Sequence, residues 1–334
     1  MPMTKPYVLG IDIGGTNTVF GIVDARGTVI ASGAIKTKKH PVFSDYIDEL
    51  YSEATKLIKA NGAEGKIGGI GVGAPNANYY TGKIENAANL IWKGELNLAQ
   101  ELVDRFHIPV AVTNDANAAA IGEMTYGAAR GMRDFIMITL GTGVGSGVVA
   151  NGQMIYGADG LAGELGHCTV RRGGRLCGCG RSGCLETYCS ATGVVRTALE
   201  FLEASPTVPS ILRNIPSADL TSKDVFDAAN NGDPIAQSVF EFTGRVLGEA
   251  LADFAAFTSP EAFIIFGGLA KAGDLLFKPM IAAFNKNALS FHKDKVKILV
   301  SELKEADAAV LGASALGWDA MRAATSNTAA GTEN

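Results

Sequence analysis

Gly10-Ile-Asp-Ile-Gly-Gly-Thr16, followed by Gly21-Ile-Val23 and Gly27-Thr-Val-Ile30, decides the architecture because the pattern returns later in the chain. Met137-Ile-Thr-Leu-Gly-Thr-Gly143, Gly147-Val-Val149 and Gly152-Gln-Met-Ile155 align with it across a one-residue gap. Each copy reads as an apolar strand closed by a glycine turn, a second strand and a third after a tight turn, which is a meander. The repetition implies two lobes sharing one architecture. The competing reading is that any two glycine-rich hairpins can be aligned. A third glycine pair, Gly267-Gly268, ends the apolar run from Phe263.

Moving outward, Ile47, Leu50, Tyr51, Ala54, Leu57 and Ile58 recur at helical spacing, with Ser44 placed to cap the helix and Asn61-Gly62 to stop it. Ile67 to Ala74 predicts a strand ended by Pro75, and Ile108 to Thr113 a fully apolar strand of the parallel, buried kind. Strand and helix thus alternate, which predicts an α/β sheet with helical cover. A last helix is expected around Ala308 to Met321, then a small, polar, disordered tail.

At 334 residues the chain exceeds the roughly 250 to 300 that one hydrophobic core serves, so two lobes fit the length as well. A hydrophobic share of 47% excludes disorder, and a net charge of −5 gives no reason to expect nucleic acid or a membrane surface as partner. No run approaches the ~20 apolar residues of a membrane span, and the first residues pass straight into a strand, so the expected compartment is the cytoplasm. In that compartment clustered cysteines read as metal ligands or redox groups before disulfides.

Asp12 precedes the two-glycine turn Gly14-Gly15, with Thr16 and Asn17 behind it. Glycines let backbone N–H groups approach a phosphate, and a carboxylate there could hold Mg2+ through water. The partner turn, Gly141-Thr142-Gly143, has Thr139 in place of Asp12, so metal belongs at the first. Gly267-Gly268 leaves a flat gap where adenine could lie. Ordinary hairpins are the plainer reading of either turn. Asn114-Asp115 follows the buried strand and opens an alanine-rich helix, a place where Asp115 could act as a base; either residue could equally be a helix cap.

Gly157 to Glu186 crowds four of the five cysteines beside a histidine and two glutamates. His167, Cys177, Cys179 and Cys184 offer one imidazole and three thiolates, a set that suits a closed tetrahedral Zn2+. A regulatory dithiol or unpaired cysteines are the alternatives. Cys168 and Cys189 fall outside the pattern and read as packing residues. Glu164 and Glu186 could meet to bind a polyhydroxylated sugar, or could form a salt-bridging surface beside Arg171, Arg172, Arg175 and Arg181.

With these residues in view the sequence resembles the ROK family of sugar kinases and sugar-responsive repressors, from about Tyr7 to Gly317. The signature is Gly166-His167, then Cys177-x-Cys179-Gly180-x-x-Gly183-Cys184-x-Glu186. The resemblance implies a two-lobed actin-like ATPase (ribonuclease H-like) α/β fold with duplicated βββαβα domains and an interlobe active-site cleft. It implies Asp115 as catalytic base, and Asn89, Asn114, Asp115, Glu164, His167 and Glu186 as sugar contacts, with His167 serving metal and sugar at once. Asp12, Gly14, Gly15, Thr16, Asn17, Thr142, Gly143, Gly267 and Gly268 map to the ATP and Mg2+ site. Three positions depart from the family: Asn17 stands where many relatives carry Lys, Asn76 where Gly is usual and Ile91 where Pro is frequent.

The domain expectation is a smaller lobe of residues 1–114 plus 306–325, a larger lobe of 115–305 and a disordered tail of 326–334. The functional expectation is ATP-dependent phosphorylation of the 6-hydroxyl of a hexose, glucose first, by a dimer or tetramer. Kinases for N-acetylmannosamine, N-acetylglucosamine, fructose or allose are the alternatives, together with a noncatalytic sugar-binding regulator. Asp12 comes too early in the chain for the N-terminal DNA-binding region of the family's repressors.

Overall fold

The computed structural model describes residues 5–87, 89–303 and 305–330. In chain order the elements are β1 (Tyr7–Ile13), β2 (Asn17–Asp24), β3 (Val29–Lys36), α1 (Phe43–Ala60), β4 (Ile67–Gly73), β5 (Ile84–Glu85), β6 (Glu95–Leu96), α2 (Leu98–Phe106), β7 (Val110–Thr113) and α3 (Asp115–Tyr126). There follow β8 (Phe135–Leu140), β9 (Val144–Ala150), β10 (Gln153–Met154), α4 (Glu186–Cys189), α5 (Ala191–Ala204), α6 (Ser222–Asn230), α7 (Pro234–Thr258), β11 (Ala262–Phe266), α8 (Asp274–Asn287), β12 (Lys297–Val300) and α9 (Glu305–Ala330).

The duplication read from the glycine turns is present in the topology. One sheet runs β3-β2-β1-β4-β7 and another runs β10-β9-β8-β11-β12, the same order in the two copies. In each, the first two strands pair antiparallel, and the later strands join in parallel beside the first.

The chain divides into two compact units, one of residues 1–131, 154–162 and 302–334, the other of 132–153 and 163–301. The break therefore falls after Gly131, whereas the sequence placed it between Asn114 and Asp115. The reason is α3, whose small face packs on α9: a Cβ on Gly122 would sit 2.8 Å from Gly312 Cα. Helix α9 in turn lies directly on the first sheet. A Cβ on Gly71 would come within 1.9 Å of the Ala313 carbonyl oxygen, and one on Gly10 within 2.2 Å of that of Val310. The strand glycines exist for this close approach.

Other boundaries also shift. Ser44 is inside α1, whose N-cap is Val42 without a side-chain cap; its hydroxyl instead accepts from Arg105 at 3.0 Å. The run from Ile108 becomes β7 only from Val110, and its first residues are half-buried because it is the edge strand. Helix α9 continues through Ala330, so the tail expected to be disordered is helical up to there, and residues 331–334 lie outside the described residues.

In the first unit, Leu9, Ile11, Ile70 and Val72 from the sheet meet Tyr46, Ile47, Leu50 and Ala54 of α1. In the second, Ile136, Ile138, Phe263 and Ile265 meet Val246, Leu247 and Leu251 of α7 and Met280 and Phe284 of α8. Among the described residues no helix is long and apolar enough to cross a membrane.

Candidate active site

In the first unit the carboxyl ends of three parallel strands lie side by side. The register pairs Asp12 of β1 with Gly73 of β4, and Gly73 with Thr113 of β7. Asn114 and Asp115 follow immediately. Gly73 keeps the space between the two acids open: a Cβ there would lie 3.6 Å from Asp12 Oδ1 and 3.7 Å from Asp115 Cα. Burial and the facing charge of Asp115 push the Asp12 carboxyl up to about 6. Asp115 is open to solvent at its surface, but the protein mass around it raises its pKa, opposed by the Ala116 N–H; its Oδ1 accepts that N–H at 2.8 Å. Two neighbouring acids, both held above their ordinary range, favour a shared cation.

The helix-cap reading holds for Asn114, whose Oδ1 accepts the Asn117 N–H at 2.7 Å. Asp115 is the first residue of α3 and keeps a carboxylate at the surface. Capping therefore falls to Asn114 rather than to Asp115.

The turn from β1 to β2 is closed by the Gly14 N–H donating to the Asn17 carbonyl at 3.0 Å. Thr16 is exposed at its tip. Asn89 reaches the same place: its carbonyl oxygen would be 3.0 Å from a Cβ on Gly15. Its position follows from its neighbours, since Leu90 and Trp92 are buried, and Trp92 lies 4.7 Å from the Tyr46 ring and donates to the His40 carbonyl at 3.1 Å. Ile91 and Asn89 are left exposed.

Two of the departures from the family acquire physical accounts. Asn17 pairs with Lys36 across β2 and β3, and the Lys36 ammonium donates to Asn17 Oδ1 at 2.8 Å. A cation thus stands at the turn although residue 17 is neutral. Sequence reasoning missed Lys36; the meander register could have found it. Asn76 has φ of 53°, a left-handed conformation that asparagine tolerates best after glycine. Also missed was a buried hydroxyl chain beneath the turn, Tyr46 to Thr18 at 2.7 Å and Thr18 to Thr37 at 2.9 Å.

In the second unit the equivalent strand ends carry the other glycines. The Gly141 N–H donates to the Gly143 carbonyl at 3.1 Å, and Gly141 and Thr142 are exposed. Thr139 Oγ1 accepts the Gly145 N–H at 3.1 Å, so the residue in the place of Asp12 serves the turn itself. Gly267 has φ of 103° and backs onto Leu140, where a Cβ would be 2.5 Å from the carbonyl oxygen. Gly268 has nothing within 4 Å of where its Cβ would be, which leaves a flat open face.

The four sulfur and nitrogen ligands do converge: the donor atoms of His167, Cys177, Cys179 and Cys184 all lie within 4.8 Å of one another. Cys177 Sγ is 3.6 Å from His167 Nδ1, and Cys179 Sγ is 3.7 Å from Cys184 Sγ. With metal bonds of about 2.3 Å to sulfur and about 2.0 Å to nitrogen, a tetrahedron has sulfur–sulfur edges of about 3.8 Å and sulfur–nitrogen edges of about 3.5 Å, so the donor set fits. The loop geometry supports it, with Cys177 N–H donating to Arg181 and Gly180 N–H to Cys177, and Gly180 at φ of 85°. Burial pushes the Cys184 thiol up to about 12. A bound cation reverses that preference by deprotonating its thiols. Cys189 is fully buried with its thiol against the Thr243 carbonyl, a packing residue as expected, and Cys168 is half-buried.

The salt-bridging alternative for the glutamates finds no support around Glu186. Arg171 pairs with Glu249 and Arg175 with Glu200. Arg181 donates to Thr169. Glu186 instead accepts the Val144 N–H at 3.0 Å through Oε2, a contact sequence spacing could not reveal. Glu164 lies at the start of the short 3-10 turn Leu165–His167, three residues before the imidazole of the cluster.

The sequence matches the ROK family model over residues 8–320. The chain belongs to the ROK family. Among ROK relatives it is 38% identical to the glucokinase of Halalkalibacterium halodurans over 319 residues, 95% of each chain. A crystal structure of a ROK glucokinase from Streptomyces griseus, in complex with glucose and AMPPNP, superposes with a TM-score of 0.75 at 32% identity, covering 94% of this chain and 99% of that one. A ROK transcriptional regulator, a homologue of the E. coli MLC protein, superposes with a TM-score of 0.82 at 25% identity, covering 94% and 78%. The ROK fold is thus shared by kinases and regulators, and the site residues must separate them.

Proposed function

We propose that this protein is a glucokinase that transfers the γ-phosphoryl group of ATP to the 6-hydroxyl of glucose. The single observation that carries the reading is the Asp12 and Asp115 pair held across Gly73, which a sugar-binding regulator would not need. Asp115 accepts the proton of the hydroxyl as its oxygen attacks phosphorus. Its raised pKa makes the carboxylate a stronger base than an ordinary aspartate, although positioning contributes more than basicity in phosphoryl transfer. Asp12, through water, holds Mg2+, which when bound neutralises charge on the transferring phosphoryl group.

The glycine turns at Gly14-Gly15-Thr16 and Gly141-Thr142-Gly143 supply N–H and hydroxyl donors to phosphates, and the open face at Gly268 receives adenine. Asn89, Asn114, Glu164, His167 and Glu186 bind sugar hydroxyls. The knot is a structural Zn2+ site whose four protein ligands leave no open coordination position for chemistry. His167 turns Nδ1 toward Cys177, so a metal held by the knot would leave Nε2 to carry the proton and donate to the sugar. The choice of glucose among hexoses follows the glucokinase relatives and the glucose-bound ROK structure.

ATP turnover across glucose, fructose, allose, N-acetylglucosamine and N-acetylmannosamine tests the reading. The highest kcat/KM is expected on glucose. Preference for an N-acetylated sugar would refute the substrate, and sugar binding without turnover of any would refute the kinase.

A further inference from the structure

Two arms of the Cys/His knot end on one residue, Val144, the first after the Gly141-Thr142-Gly143 turn. On one arm, Gly166 precedes His167 and lies so close that a Cβ on it would come within 2.0 Å of the Val144 carbonyl oxygen. On the other arm, Glu186 follows Cys184 by two residues. Its Oε2 accepts the Val144 N–H at 3.0 Å, and its Oε1 lies 3.8 Å from Cys177 Sγ. The same carboxylate crowds Gly143, where a Cβ would fall 2.3 Å from Oε2.

The chain beyond Glu186 holds the rest of the turn. The Ala191 N–H donates to the Gly141 carbonyl at 2.9 Å, and Thr192 Oγ1 donates to the Thr142 carbonyl at 3.1 Å. Thr192 is itself placed by Ser190, 2.9 Å away, whose hydroxyl caps α5 at the Gly193 N–H. A trans peptide points its C=O and N–H in opposite directions, so tying back the carbonyls of Gly141 and Thr142 aims the N–H groups of Thr142 and Gly143 the other way. Those are the donors a phosphate would meet.

We propose that the metal knot sets the conformation of the Gly141-Thr142-Gly143 turn through Glu186 and Thr192, and so controls nucleotide affinity as well as the sugar pocket. The inference rests on the reading of that turn as a nucleotide phosphate site. Glu186 and Thr192 act here as positioning residues, tying a metal loop to a phosphate loop within one unit.

The experiment is calorimetric titration of Mg-AMPPNP in the absence of sugar, and separately of glucose. It uses the metal-loaded protein, Glu186→Ala, Thr192→Val and metal-depleted protein, with metal content and far-ultraviolet circular dichroism followed throughout. Glu186→Ala is expected to keep its metal and lose about tenfold in AMPPNP affinity, the scale of one hydrogen bond to a charged group. Thr192→Val is expected to lose about threefold, with glucose affinity unchanged. Depleted protein that retains its circular dichroism is expected to lose at least about tenfold for AMPPNP. Wild-type AMPPNP affinity in the metal-bearing variants overturns the proposal. Wild-type protein that binds no AMPPNP overturns both the proposal and the nucleotide reading, whereas wild-type turnover beside normally binding variants overturns the coupling alone.

Discussion

Replacing Asp12 with Asn should make the protein more stable at neutral pH while removing its activity. The Asp12 carboxyl is raised from 3.8 to about 6 by burial and by Asp115. Between those two values the unfolded chain has lost the proton that the folded protein still holds, so folding stability falls as pH rises through that window. Raising the carboxyl from 3.8 to about 6 corresponds to about 3 kcal/mol of destabilisation, absent below the lower value and fully expressed above the upper one. That is a large part of the roughly 5 to 15 kcal/mol typical of a domain. Urea unfolding of wild type and Asp12→Asn, in Mg2+-free buffer without chelator, should give equal stabilities near pH 3 and a gap of about 3 kcal/mol in favour of the variant at pH 7.5. Taking the difference between the two proteins cancels the other titrating acids. Added Mg2+ should narrow the gap at pH 7.5 by stabilising wild type only. A gap that is absent at pH 7.5, or that does not change with pH, would refute the burial and repulsion argument.

Two further outcomes follow from named contacts. Asp115→Asn should lower kcat by about 10²- to 10⁴-fold with glucose affinity within a few-fold of wild type, read by coupled turnover and by titration; near-normal kcat would remove Asp115 from the role of base. Gly71→Ala should cost more than about 3 kcal/mol in urea unfolding or prevent folding, because its methyl would meet the Ala313 carbonyl oxygen at 1.9 Å and neither the strand nor α9 can move easily.

The parts of this protein legible in its sequence were those written in local chemistry. The glycine-ended strands announced themselves by apolar runs and turn residues, and their repetition told of two sheets before any contact was known. The convergence of His167 with Cys177, Cys179 and Cys184 was legible because cysteine is so sparse in the rest of the chain. What stayed hidden depended on packing between distant segments. The unit boundary moved past α3 because Gly122 meets Gly312, far along the chain, and no periodicity in α3 records that partner. Glu186 looked like a sugar ligand or a surface charge, and its bond to the Val144 N–H follows only from how the knot folds back on β9. Lys36 was overlooked for the same reason: it is one more surface lysine until the β2 and β3 register sets it against Asn17.

The two copies of the sheet also show how one architecture comes to carry unequal chemistry. Strand order and pairing are the same, yet the position that holds a carboxylate in β1 holds a threonine in β8. Thr139 spends its hydroxyl on the Gly145 N–H and so rigidifies its own turn. The first turn is closed by backbone alone, between Gly14 and Asn17, and leaves the Asp12 carboxylate to face a second acid across Gly73. A largely buried carboxylate in that condition is costly unless a cation joins it. The second turn has no such cost and instead leans on the Cys/His knot through Glu186. On the proposed reading each turn is completed by a cation, directly at Asp12 in the first copy and through the protein scaffold at Val144 in the second, so loss of either ion should be felt at the nucleotide.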